Sequence, residues 1–173
     1  MKKMLGLIII LFVAFGFAGC SNKTSNDYLR IHIRANSNLQ IDQNVKYKVK
    51  DEVVGFLTPL IANCKNLTDV ENMVEKNKTN IESVCNKVLK QNGFLYTATA
   101  KIKQEFFPTR AYGEYVLESD FYDALVIELG SGSGDNWWCV VYPPLCFLNA
   151  KEINGTNLKY KSKIYELINK FFG

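Results

Sequence analysis

The chain is short of the side chains that usually carry chemistry. Its 173 residues hold one histidine, two tryptophans, four prolines and five cysteines. A single histidine with scattered cysteines offers no ligand pair at close spacing, so nothing here reads as a metal centre. The one glycine-dense loop, Gly130-Ser131-Gly132-Ser133-Gly134-Asp135-Asn136, is not followed by Gly-Lys-Ser/Thr, and the next segment reads as a strand. A phosphate cradle needs a helix N-terminus there, so that reading carries little weight and the loop is expected to close a hairpin. There is no internal repeat, no low-complexity tract and no cofactor motif, and nothing indicates a small-molecule substrate. A basic stripe is missing too. The formal net charge is +4, removal of Lys2 and Lys3 leaves +2, and the remaining lysines are interleaved with Glu and Asp. Nucleic acid is therefore set aside as a partner.

What is present is enough apolar material for one core: 47% of residues are hydrophobic, and the length does not comfortably serve two. Met1 to Cys20 reads as an export signal. Lys2 and Lys3 form its charged start, Leu5 to Phe17 its apolar run, and Phe17-Ala18-Gly19-Cys20 the pattern of a lipoprotein cleavage site. Residues 1–19 are then a signal peptide, Cys20 the acylated N-terminus, residues 20–27 a tether and residues 28–173 one globular domain. An uncleaved anchor is the competing reading, although the run is short of the ~20 residues a spanning helix needs. Under both readings the body is exported.

Tyr28 to Asn36 alternates, with Leu29, Ile31, Ile33 and Ala35 on one face and Arg30, His32, Arg34 and Asn36 on the other, which reads as a half-buried strand. His32 then sits between two arginines on the polar face as a surface or rim residue. Asn36-Ser37-Asn38 makes a turn. From Asp42, Val45, Val49, Val53, Leu57 and Ile61 line one stripe of an amphipathic helix that Pro59 kinks or restarts. Thr68-Asp69-Val70-Glu71 reads as a capping box opening a second helix that runs to Asn92-Gly93. Strands follow at Tyr96 to Phe106, Ala124 to Leu129 and Trp137 to Tyr142, and a last helix starts near Leu158. This order predicts an α+β domain: a mainly antiparallel sheet of about four strands, with a helical hairpin and a C-terminal helix packed on one face.

Cys64 and Cys85 fall too far apart along the helical hairpin to bridge. Cys139 and Cys146, six residues apart across the Pro143-Pro144 corner, either bridge or stay as packed thiols. An exported cysteine-dependent or wall-active hydrolase would use Cys139 with His32, but no nucleophile signature accompanies them. A binding surface is the better-supported reading. Trp137 and Trp138 are adjacent and so point to opposite faces of their strand, leaving one to meet a partner.

Two segments resemble the stage II sporulation protein R family. The first is Ile31 to Val53, IHIRANSNLQIDQNVKYKVKDEV; the second runs from FPTRAYG at Phe107 to NWWCVVYPPLCF ending at Phe147. The resemblance implies a signalling protein rather than an enzyme, exported from the forespore into the space between its two membranes. There it would activate a membrane-embedded aspartic protease, stage II sporulation protein GA, which processes the sigma-E precursor; an acylated Cys20 would hold it to the membrane outer leaflet. The expected partner surface joins His32, Arg34 and Asn36 to Arg110, Tyr112, Trp137, Trp138 and the Pro143-Pro144 corner.

Overall fold

The computed structural model of the chain describes residues 27–112 and 115–145. The signal segment, Cys20, Cys146 and the helix expected from Leu158 lie outside the described residues.

A four-stranded sheet carries the fold. Its strands are β1 (Leu29–Arg34), β2 (Ala98–Phe107), β5 (Asp120–Leu129) and β6 (Asn136–Tyr142), in the order β2-β5-β1-β6. Between them come α1 (Gln40–Ile61), α2 (Leu67–Lys76), α3 (Lys78–Gln91) and a two-stranded hairpin of β3 (Arg110–Tyr112) and β4 (Tyr115–Leu117). β2 and β6 run antiparallel to their neighbours, while β1 and β5 are parallel. The expected α+β class and mainly antiparallel sheet are what the chain forms.

Periodicity decides the main core. Leu29, Ile31 and Ile33 from β1 meet Leu125, Ile127 and Leu129 from β5 under the stripe Val45, Val49, Val53 and Leu57 of α1 and Ile81, Cys85 and Leu89 of α3. Each buried aliphatic side chain contributes about 1.5–3 kcal/mol. α1 and α3 lie together, and Lys48 near the start of α1 donates 2.5 Å to Asn92 Oδ1 at the end of α3, the sense expected of an antiparallel hairpin. Pro59 falls in the last turn of α1, and the helix runs on through it to Ile61, forgoing the one bond that a residue 59 N–H would make to the Gly55 carbonyl.

Three local expectations are corrected. The second helix breaks at Asn77, whose side chain donates back to Met73 O, so it forms α2 and α3. Its cap is Asn66 rather than Thr68: Asn66 Oδ1 accepts from Asp69 N, and Asp69 Oδ2 accepts from Lys65 N. The capping exchange is real but sits two residues earlier, because Asn is as good a cap as Ser or Thr.

The third correction concerns the glycine loop. It does not close a β5–β6 hairpin, because β1 lies between those strands. The loop instead passes over the end of β1, from one neighbour to the other. Gly130 adopts φ +58°, and a Cβ on Gly134 would collide with the carbonyl oxygen of Ser37. The glycines are there for this close crossing.

Candidate functional site

β1 was expected to expose its polar face. It is buried on both sides, being a central strand whose second face is also covered. Phe107, Leu117, Tyr122, Ala124, Val126, Val140 and Leu145 form a second, smaller core there, roofed in part by the β3–β4 hairpin. The row Arg30, His32, Arg34 runs beneath it.

Arg30 is wholly buried, and among the described residues no carboxylate pairs with it. Its Nη2 donates 2.5 Å to the Tyr112 hydroxyl, and its guanidinium lies 4.1 Å from the Phe107 ring centroid and 4.8 Å from that of Tyr122. Aromatic faces thus do the work usually given to an anion. Burial lowers the Arg30 pKa and the Tyr112 contact opposes that, leaving a group that stays charged. Tyr112 therefore links the hairpin to the centre of the sheet.

His32 stands between Phe107 and Trp138, at ring separations of 5.8 and 5.3 Å. It is buried rather than a rim residue. Burial pushes its pKa down and the Arg34 charge adds to this, while Glu105, whose Oε2 is 3.7 Å from Nδ1, opposes them. The imidazole is held neutral at neutral pH. Arg34 pairs with Glu105 and, at 2.9 Å, with Glu128, and keeps a quarter of its side chain exposed.

Surface presentation passes to other residues. Arg110 is exposed and lies 4.5 Å above the half-buried Trp138 ring. Arg110, Trp138, His32, Phe107 and Arg30 make a continuous stack from solvent to the sheet centre. Trp137 points the other way, as strand alternation requires, and packs at the margin of the main core near Lys50. Pro143 and Pro144 are buried and do not rim the patch. Of the nine expected surface residues, Arg34, Arg110, Tyr112 and Trp138 share one face with some exposure.

Asn36 belongs to a separate knot. Its Oδ1 accepts 3.0 Å from Ser131 N and its carbonyl accepts 2.7 Å from Ser131 Oγ, while Asn38 Oδ1 accepts 2.6 Å from Asp135 N. The buried Asp42 accepts from Ser37 Oγ at 2.5 Å, Asn36 Nδ2 at 3.1 Å and Tyr96 Oη at 2.6 Å. Burial pushes the Asp42 carboxyl up, but these three bonds prevail and hold it below its ordinary range. Lys46, also buried, donates 3.0 Å to Asp135 O.

A hydrolase built on His32 and Cys139 is not available. Cys139 aligns with Ile31 and packs in the main core, whereas His32 faces the other side of the sheet. Cys139 is moreover disulfide-bonded, and its partner lies outside the described residues, as does Cys146. Cys64 and Cys85 are free, and burial pushes the Cys85 thiol up to about 12. No group of three His, Cys, Asp or Glu among the described residues is placed to hold a metal ion.

A profile of the stage II sporulation protein R family matches residues 25–152. The chain belongs to that family. It is 31% identical over 121 residues, 70% of its length, to Stage II sporulation protein R of Bacillus subtilis (strain 168). It spans 54% of that relative's length. No solved structure matches.

The two family-like segments, far apart in sequence, meet in the Asn36 knot and along the β1–β6 ladder. Sequence reasoning missed Glu105, Phe107 and Tyr122, which line the second face. The available signal was the alternation of β2: Glu105 and Phe107 share a parity opposite to Ala98 and Ala100.

Proposed function

We propose that the chain is an exported sporulation signal that activates a membrane-embedded aspartic protease, stage II sporulation protein GA, across the forespore intermembrane space, so that the sigma-E precursor is processed. Membership of the stage II sporulation protein R family is the observation that carries this reading. Chemistry then belongs to the partner, and this chain contributes differential affinity for the protease's active arrangement. The contact is the exposed end of the stack, Arg110 over Trp138, with Tyr112 and Arg34 beside it. Arginine and tryptophan anchors of this kind typically cost ~2 kcal/mol or more in binding when truncated. Attachment through an acylated Cys20 would keep the protein at the membrane where the protease lies.

The experiment is co-expression of the exported chain, the matching protease and the sigma-E precursor in a non-sporulating host, with precursor size followed on a gel. Cleavage that requires export of this chain supports the reading. No cleavage with all three proteins present and this one outside the membrane overturns it. Arg110→Ala with Trp138→Ala should abolish cleavage while the protein stays folded and exported.

A further inference from the structure

Among the described residues β2 is the outermost strand on its side of the sheet. Thr97 O accepts from Gly130 N on the β5 side, so Lys101, Lys103, Glu105 and Phe107 turn their main-chain groups inward. Ala98, Ala100, Ile102, Gln104 and Phe106 turn theirs outward. Helix α3 caps the first two: Ala98 N donates 2.7 Å to Asn86 Oδ1 and Ala100 N donates 2.8 Å to Glu82 Oε1. The cap ends there, and among the described residues nothing accepts from the outward N–H groups of Ile102, Gln104 and Phe106. Beside this bare stretch Phe106 is 55% exposed and stacks edge-to-face on Phe121, 58% exposed, at 5.7 Å. A half-capped edge next to an exposed aromatic pair is a template for another strand.

We infer that the bare half of β2 pairs antiparallel with the same stretch of a second copy, about a two-fold axis through Gln104. The stretch Lys101 to Phe107, KIKQEFF, is self-complementary in this register. Ile102 falls opposite Phe106 on the helix-covered face and Lys103 opposite Glu105 on the other, each twice by symmetry. An axis at Lys103 would oppose two lysines, and one at Glu105 would oppose two carboxylates. The ends agree as well. Beyond Lys101 opposite Phe107, Pro108 of one copy has no N–H to offer and meets Ala100 of the other, whose N–H Glu82 already holds. Pairing therefore stops where the cap begins. This contact goes beyond the trigger role and stands without it.

The two Gln104 Cα atoms would lie about 5.5 Å apart, within disulfide range. The test uses the full chain carrying Gln104→Cys, exported in a non-sporulating host and oxidised with copper phenanthroline. A dimer-sized band on a non-reducing gel is expected for Gln104→Cys, and not for wild type or for Leu95→Cys, whose side chain is fully exposed elsewhere. Adding Phe106→Lys, a change at an exposed position that sets a cation against Ile102, should cut the dimer yield by ~tenfold. Monomer only, with the thiol freely reactive toward a maleimide, overturns the pairing. So does a thiol shielded in a monomer, which assigns the edge to the chain's own C-terminal segment, or a cross-link to a different protein. Because the band is read without the protease, its failure is separate from failure of precursor cleavage.

Discussion

Asp42 offers the sharpest test of the knot that joins the two ends of the described chain. Its carboxylate accepts from Ser37, Asn36 and Tyr96, all donors, in a buried site. Asp42→Asn keeps the shape but puts an amide N–H₂ where one oxygen stood. The amide can set its carbonyl where Oδ2 stood, still accepting from Asn36 and Ser37, and turn its N–H₂ to Tyr96 Oη, which can accept as well as donate. What is lost is the charge on three buried hydrogen bonds, about 1–3 kcal/mol. Against a typical stability of ~5–15 kcal/mol this is readily measured. Urea unfolding at pH 7 of the exported chain and the variant should show a lower midpoint with an unchanged slope. Acid supplies the second arm. Because the folded pKa lies below the ordinary 3.8, the carboxylate's contribution is present above that value and lost as pH falls through the folded pKa. Wild type and variant should converge there. A loss under ~0.5 kcal/mol at pH 7 would refute the assignment, since it would mean that the charge adds nothing to those three bonds.

Gly134→Ala drives a Cβ into the Ser37 carbonyl and should lower the melting temperature by several degrees, equivalent to ~1–3 kcal/mol. An unchanged melt would mean the loop does not cross β1 so closely. His32, held neutral by burial, makes stability fall as pH drops below its ordinary 6.5, since the unfolded chain takes up a proton the folded one resists. His32→Phe should flatten the stability profile between pH 7 and 5, and a retained slope would move the effect elsewhere. Tyr112→Phe removes the hydroxyl that Arg30 donates to and should cost about 1.5–3 kcal/mol, with faster hydrogen exchange across Arg110 to Tyr112. A thermal melt and exchange rate equal to wild type would show the hairpin is held by packing alone.

The elements were legible where a period governs them. The alternation from Leu29 to Arg34 and the stripe from Val45 to Ile61 mark β1 and α1. What escaped was the covering of the second face, because a polar face reads the same whether it meets water or an aromatic roof supplied 80 residues later. Alternation alone therefore assigns Arg30, His32 and Arg34 to a solvent face. The glycine loop misled for a related reason. Turn residues between two apolar runs indicate a turn, but not whether the runs pair with each other or with a strand between them. The opposite facing of Trp137 and Trp138 is legible, since it follows from the chain's own geometry. Their distances from solvent depended on neighbours that no local pattern reveals.

The position of β1 also sets the order of assembly. β5 and β6 follow one another closely in sequence yet have no ladder between them, and both wait for a strand made nearly a hundred residues earlier. On the proposed export route, Leu29 to Arg34 would cross the membrane first, with no sheet to join until Asp120 to Tyr142 has followed. Such non-local pairing slows folding, because the loop must close before its contacts repay the entropy. If the chain is exported as proposed, it would cross as an open chain and complete its core only when translocation of that last ladder is done, which would make arrival on the far side and attainment of shape a single event.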